Sequence, residues 1–136
     1  MGRTIRIVLA VVLGMAAGSA VNMGLVLLGP MVIPPPPGVD VTDMESLSSS
    51  MHLFQFRHFV FPFLAHAAGT LAAAYLAVKI ASGYRLKLSM LIGSLFLLGG
   101  IANAMMLPAP GWFIAADLIG AYLPMAWIGG QLAARD

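Results

Sequence analysis

The sequence predicts an all-α integral membrane protein, an antiparallel four-transmembrane-helix bundle with a short amphipathic surface helix in its first outer loop. Three observations predict it. Hydrophobic residues make up 60% of the chain and charged residues 9%, with a mean hydropathy of +0.95, too apolar for a soluble domain of this size to clothe itself in polar surface. The charges are segregated, leaving charge-free runs long enough to cross a bilayer. Lys and Arg are also distributed unevenly between alternate connections, as they are when connections lie on opposite sides of a membrane.

The chain reads as a single membrane domain over residues 1–136. The first span, about Ile7–Gly29, follows Arg3 and Arg6 and runs up to Pro30. Its basic start and the small residues Gly18 and Ala20 resemble a cleavable signal, but the apolar run continues through "VNMGLVLLGP". That length is too great for a signal core, so a retained anchor is expected. The remaining spans are about Phe59–Val78, Leu88–Leu107 and Trp112–Ala133, separated by "SGYRLK" and "PAPG". Each is about 20 residues, enough at 1.5 Å per residue for a hydrocarbon core of roughly 30 Å.

Lys and Arg fix the expected orientation. Arg3, Arg6, Lys79, Arg85, Lys87 and Arg135 fall on one side, and Arg57 stands on the other beside Asp40, Asp43 and Glu45. Both termini and the 79–87 connection are therefore expected in the cytoplasm, with the protein in a cytoplasmic (inner) membrane. The basic pI of 9.4 reflects these flanking charges, not a patch for nucleic acid.

The outer loop spans residues 30–58. Pro34–Pro37 is expected to form a stiff polyproline II spacer. Thr42 and Glu45 have capping-box spacing, and Met44, Leu47, Met51 and Phe54 then recur at helical spacing. A short amphipathic helix lying on the outer membrane surface is expected, as a surface anchor in the first place and as a cap over the mouth of the bundle in the second.

Small residues recur every fourth position at Ala10, Gly14, Gly18 and Asn22, and again at Ala65, Gly69, Ala73 and Ala77. Such stripes let helix backbones approach within lipid. His66, Gly69, Thr70, Ala73 and Ala77 share a face, so His66 is expected to point inward while Leu64, Leu71, Tyr75 and Val78 meet lipid. The third span gathers Ile92, Phe96, Gly99, Gly100 and Asn103 on a face. The fourth gathers Phe113, Asp117, Gly120, Ala121, Pro124 and Ile128.

The polar residues of the spans fall at one depth. Asn22, His66, Asn103 and Asp117 come from different helices, and each lies about 6–11 Å below the outer boundary of its span. An acid near mid-span costs about 2.5–3.5 kcal/mol on insertion scales, so Asp117 is expected to pair with His66, directly or through water. Pro124 cannot donate to the Gly120 carbonyl, which is expected to open towards the acid. Asp117, His66, Asn103, Asn22 and Gly120 thus form the candidate site for a ligand, a proton or a cation. Asn and His also serve as plain hydrogen-bonding glue between membrane helices, and the sequence leaves that alternative open.

Absent chemistry narrows the function. The chain has no cysteine, which removes disulfides, thiolate metal sites and dithiol redox reactions. It contains no nucleophile–base pairing, metal motif or nucleotide loop, so neither an enzyme nor a cofactor is expected. "AVNMGLVLLGP" and "IANAMMLPAP" echo each other before the two outer turns, as a parallel duplication would.

The segments "GGIANAMMLPAPGWF", "AYLPMAWIGG" and "FPFLAHAAGT" resemble a group of small bacterial membrane proteins of unassigned function. The resemblance covers most of the chain and implies the four-span fold and a bacterial inner membrane, with no activity to transfer. Two functions follow from the residues. One is binding or transport of a small ligand, proton or cation at the polar cluster. The other is an accessory subunit of a larger membrane complex, or a homo-oligomer packed through glycine faces, in which the cluster is structural. The lipid bilayer is a partner in both.

Overall fold

The computed structural model describes residues 1–136. It is built from helices alone: α1 (Arg3–Val32), α2 (Met44–Ser50), α3 (Val60–Ala81), α4 (Arg85–Met106), α5 (Gly111–Gly120) and α6 (Leu123–Arg135), with 3-10 turns at Met51–Leu53 and Phe56–Phe59. Four helical stretches, Arg3–Val32, Phe56–Ala81, Arg85–Met106 and Gly111–Arg135, are long and apolar enough to cross a membrane. Three of the expected spans lie inside these stretches, and the third span, expected to reach Leu107, ends one residue sooner, at Met106. Pro30 sits within the last turn of α1, not after it. There its missing N–H and fixed φ cost one backbone bond near a helix end that frays in any case.

Helix α3 is the centre of the bundle, packed on α1 and α6, while α6 also packs on α4. Small residues set these distances. A Cβ at Gly14 would lie 2.7 Å from the Ala73 carbonyl oxygen, one at Gly18 would lie 2.5 Å from the Gly69 carbonyl oxygen, and one at Gly69 would lie 2.8 Å from that of Gly18. On the other side of α3, Gly129 packs directly on the Leu71 backbone. Because α3 is covered twice, the expected division of its faces holds only in part. Leu64 is exposed, but Val78 is buried and Leu71 and Tyr75 are half-buried.

The fourth span is two helices, not one kinked helix. The chain leaves helical geometry at Tyr122 (φ −114°, ψ −81°), and Pro124 sits in the first turn of α6, where a missing N–H costs nothing. The interruption rotates one helix relative to the other. Phe113, Asp117 and Ala121 are buried as expected, but Pro124 and Ile128 are exposed, and Ala126, Gly129, Gly130 and Ala133 take the buried face of α6.

Two expectations for residues 30–58 are corrected. The proline run bends: the Val39 N–H donates to the Pro36 carbonyl at 3.2 Å, and Gly38 has φ +82°. Pro37 and Gly38 are thus the central residues of a type II turn, for which a proline followed by glycine is the favoured pair. Helix α2 is capped by Asp43, whose carboxylate accepts from the Ser46 N–H at 2.8 Å. Thr42 is unavailable as a cap because its hydroxyl and N–H both donate to Asp40 Oδ1, at 2.6 and 2.9 Å. The Thr42 hydroxyl, and after it the Thr42 N–H, hold the Asp40 carboxyl below its ordinary 3.8.

The contact at Gly129 has a direct consequence. Gly129→Ala places a methyl group against the Leu71 backbone, which cannot rotate away, so α3 and α6 must part. A stability loss of about 1–3 kcal/mol is expected, read by thermal unfolding of the detergent-solubilised chain. Gly99→Ala, at a position with open space around it, is the matched control with no loss.

Candidate functional site

The pairing expected from the cost of a buried acid is present and direct. Asp117, on α5, is 4% exposed, and its Oδ1 lies 2.7 Å from His66 Nδ1 on α3. No spacing or motif pointed to Tyr122, yet its hydroxyl donates to Asp117 Oδ2 at 3.1 Å. Its ring also stacks on His66, with centroids 5.7 Å apart and planes 25° apart. Both carboxylate oxygens therefore have a protein partner, which is what a carboxylate deprived of water requires. With the carboxylate assigned as ionised and the imidazole as neutral, the ring proton lies on Nδ1 and the Nε2 lone pair is free.

Several local devices hold this arrangement. In an unbroken helix a residue five positions after Asp117 points about 140° away from it. The interruption at Tyr122 brings the two side chains back together. Gly100 of α4 makes the room, since a Cβ there would collide with the Tyr122 ring and hydroxyl. The Thr70 hydroxyl is turned inward onto the His66 carbonyl at 2.7 Å, so it adds no free polar atom to the site.

His66 and Asp117 form the floor of a cavity of about 240 Å³ whose walls are mainly apolar. Asn103 lines it as well. Asn22 does not: it packs against Gly69, one turn of α3 further on, where a glycine Cβ would meet its own Cβ at 3.0 Å. Gly120 is also absent from the lining, and its open side faces the Phe63 ring at 3.6 Å. The helix interruption thus offers the acid a tyrosine hydroxyl, not the freed carbonyl that was expected. Of the sequence-predicted residues, His66, Asn103 and Asp117 meet at one cavity; Asn22 and Gly120 stand outside it.

The roof comes from the 30–58 connection. Met44, Leu47, Met51 and Phe54, the residues with helical spacing, all line the cavity. Met51 is buried with Phe59 and Phe113, so α2 and the turn after it cover the end of the bundle. His58 ties the roof down. The Gln55 N–H donates to His58 Nδ1 at 2.8 Å, and His58 Nε2–H donates to the Pro34 carbonyl at 3.1 Å. Only the neutral Nε2–H tautomer satisfies both bonds.

No protein-family model, curated protein or solved structure matches the chain.

Tyr122→Phe tests the second donor without disturbing the packing. Loss of a hydrogen bond to a buried carboxylate is expected to cost about 1.5–3 kcal/mol, measured by thermal unfolding. A change within error would mean that the hydroxyl contributes nothing to holding the acid.

Proposed function

We propose that this chain is a multi-pass protein of a bacterial cytoplasmic membrane, with four antiparallel spans, which binds a small ligand in the cavity floored by His66 and Asp117. Side-chain contacts support the topology. Gly14 packs near Ala77, Gly18 near Ala73, Asn22 near Gly69 and Gly29 near Phe61, so rising numbers on α1 meet falling numbers on α3. Arg6 donates to the Ile80 carbonyl at 2.6 Å and Arg3 lies over the Tyr84 ring. The Tyr75 hydroxyl donates to Asp136. These contacts gather both termini and the 82–84 turn at one end, together with Arg85, Lys87 and Arg135, and the positive-inside rule assigns that end to the cytoplasm. The exposed Leu, Ile, Val and Met side chains of α1 and α4 are then the lipid-facing surface.

One observation carries the ligand-binding reading: a buried carboxylate has both oxygens engaged while the imidazole it orients lines a cavity and has no protein partner for its far nitrogen. Interhelical glue needs the pair but not the space. Leaving that space unfilled forfeits on the order of a few kcal/mol of packing, which an occupant would offset. A bare cation is the weaker candidate, because it needs several oxygen ligands and the one carboxylate side chain here is 6% exposed with each oxygen already accepting a hydrogen bond.

The absence of cysteine makes the topology directly measurable. Glu45→Cys is expected to react with a membrane-impermeant maleimide on intact cells, and Gly83→Cys only after permeabilisation; the reverse pattern would invert the orientation. For binding, Asp117→Asn keeps the shape of the site but presents an amide N–H₂ to His66 Nδ1. The ring proton then moves to Nε2, turning the acceptor into a donor. A thermal-shift screen of cavity-sized compounds is expected to find ligands that stabilise the wild-type chain and leave an equally folded Asp117→Asn unshifted. Equal shifts in both proteins would end the assignment of this site.

A further inference from the structure

The polar atoms around the cavity can be accounted for one by one. Four lining residues carry polar side chains: His58, His66, Asn103 and Asp117. His58 has spent both ring nitrogens, on the Gln55 N–H and on the Pro34 carbonyl. Each Asp117 oxygen already accepts one bond, from His66 Nδ1–H and from the Tyr122 hydroxyl, and the side chain is only 6% exposed. His66 has spent Nδ1 alone, and its side chain remains 17% exposed. That leaves His66 Nε2 and the Asn103 amide as the lining groups with no hydrogen-bond partner in the protein. The roof and walls bring Phe54, Phe59, Phe113, Met44 and Met51, a set suited to a flat ring through aromatic and sulfur–aromatic contacts.

We propose that the ligand is an uncharged, membrane-soluble aromatic alcohol of the phenol class, whose hydroxyl donates to His66 Nε2 and whose ring lies between the phenylalanine and methionine side chains. This rests on the ligand-binding reading of the same cavity and adds the chemistry of the ligand. The floor sets the polarity. With Nδ1–H given to a carboxylate, a neutral imidazole offers an acceptor, so the head must donate. An anionic head would meet the electron-rich side of an Asp–His pair that already carries negative charge. A primary ammonium head would leave its second and third N–H groups without acceptors other than the Asn103 carbonyl. A hydroxyl has one proton to give and can accept from the Asn103 N–H₂, so it satisfies both free groups at once. Size agrees. A cavity of about 150 Å³ holds benzene, so about 240 Å³ accommodates a substituted ring of roughly ten non-hydrogen atoms. The apolar body suits a ligand that partitions into the bilayer and reaches the site from it.

The full-length chain in lipid nanodiscs, with isotopically labelled histidine, reports on the floor directly. Three probes of similar size separate the possibilities: para-propylphenol, its methyl ether para-propylanisole, and phenylpropylammonium. The phenol is expected to move the His66 Nε2 resonance saturably and to raise the unfolding temperature. The ether, with the same shape and no proton to donate, is expected to bind roughly tenfold more weakly, the worth of one hydrogen bond, and to leave Nε2 unmoved. Equal affinity for ether and phenol, or an Nε2 shift with the ammonium but not the phenol, would overturn the phenol class while the ligand-binding reading stands. If no probe moves Nε2, and all shift the unfolding temperature of wild type and Asp117→Asn alike, both proposals fall. Because every arm is read on the wild-type chain first, a variant that fails to fold does not blunt the test.

Discussion

A carboxylate that is 4% exposed in a chain this apolar is the constraint from which the site is built. Removing an ionised acid from water costs several kcal/mol even after relaxation. The fold must therefore supply donors, and it supplies two from different elements: the His66 imidazole from α3 and the Tyr122 hydroxyl from the junction of α5 and α6. Neither donor would reach Asp117 unaided. Tyr122 needs the helix interruption and the space left by Gly100. His66 needs α3 at the centre of the bundle, and α3 holds that place because Gly14, Gly18 and Gly129 admit close neighbours on two sides. The small-residue stripes and the polar pair are one design. Backbones packed this closely leave little freedom for the side chains between them to drift.

This coupling explains which features were legible in the sequence. The four long apolar helices were, because charge-free apolar runs of that length read as helices long enough to cross a bilayer. The His66–Asp117 pair was as well, since an acid buried among so few polar residues has few partners to choose from. Tyr122 was hidden by its spacing. Reading the fourth span as one continuous helix puts residue 122 on the wrong side, and only an interruption corrects it. Pro124 carried that signal, but a proline inside an apolar run is compatible with a kink, which preserves the helix, or with a new start, which does not. The same ambiguity misplaced Pro124 and Ile128 on the inner face. Phase in a helix is cumulative, so an error at one residue propagates to every later one.

The 30–58 connection was harder to read for a different reason: its local chemistry offers near-equivalent choices. Thr42 with Glu45 and Asp43 with Ser46 are overlapping cap pairs one residue apart. Asp40 decides between them by engaging the Thr42 hydroxyl and N–H, which removes one candidate. Four consecutive prolines likewise suggest an extended rod, until the glycine that follows makes Pro37–Gly38 a turn. In both places a neighbour just outside the motif selects the outcome, and no periodicity announces it. The apolar spacing of Met44, Leu47, Met51 and Phe54 was visible, but spacing alone does not say whether such a stripe meets lipid or protein. The His58 tie between Pro34 and Gln55, which fastens the ends of this connection to one another, fits the side facing the bundle.

Floor and roof of the cavity consequently differ in kind. The floor consists of groups fixed by charge and hydrogen bonding, with Tyr122 stacked behind the imidazole, so its geometry is specific and costly to change. The roof consists largely of methionine, leucine and phenylalanine side chains on short helical turns. Methionine has three rotatable bonds and no polar group to satisfy, so it adapts its shape at little cost. His58 allows that adaptation without loosening the backbone, because its two bonds go to main-chain atoms and not to the side chains that would move. On the proposed ligand-binding reading, a site divided in this way discriminates at one atom, His66 Nε2, and tolerates variation elsewhere. Selectivity for the proposed ligand then follows from the hydrogen-bonding polarity of its head more than from the outline of its body.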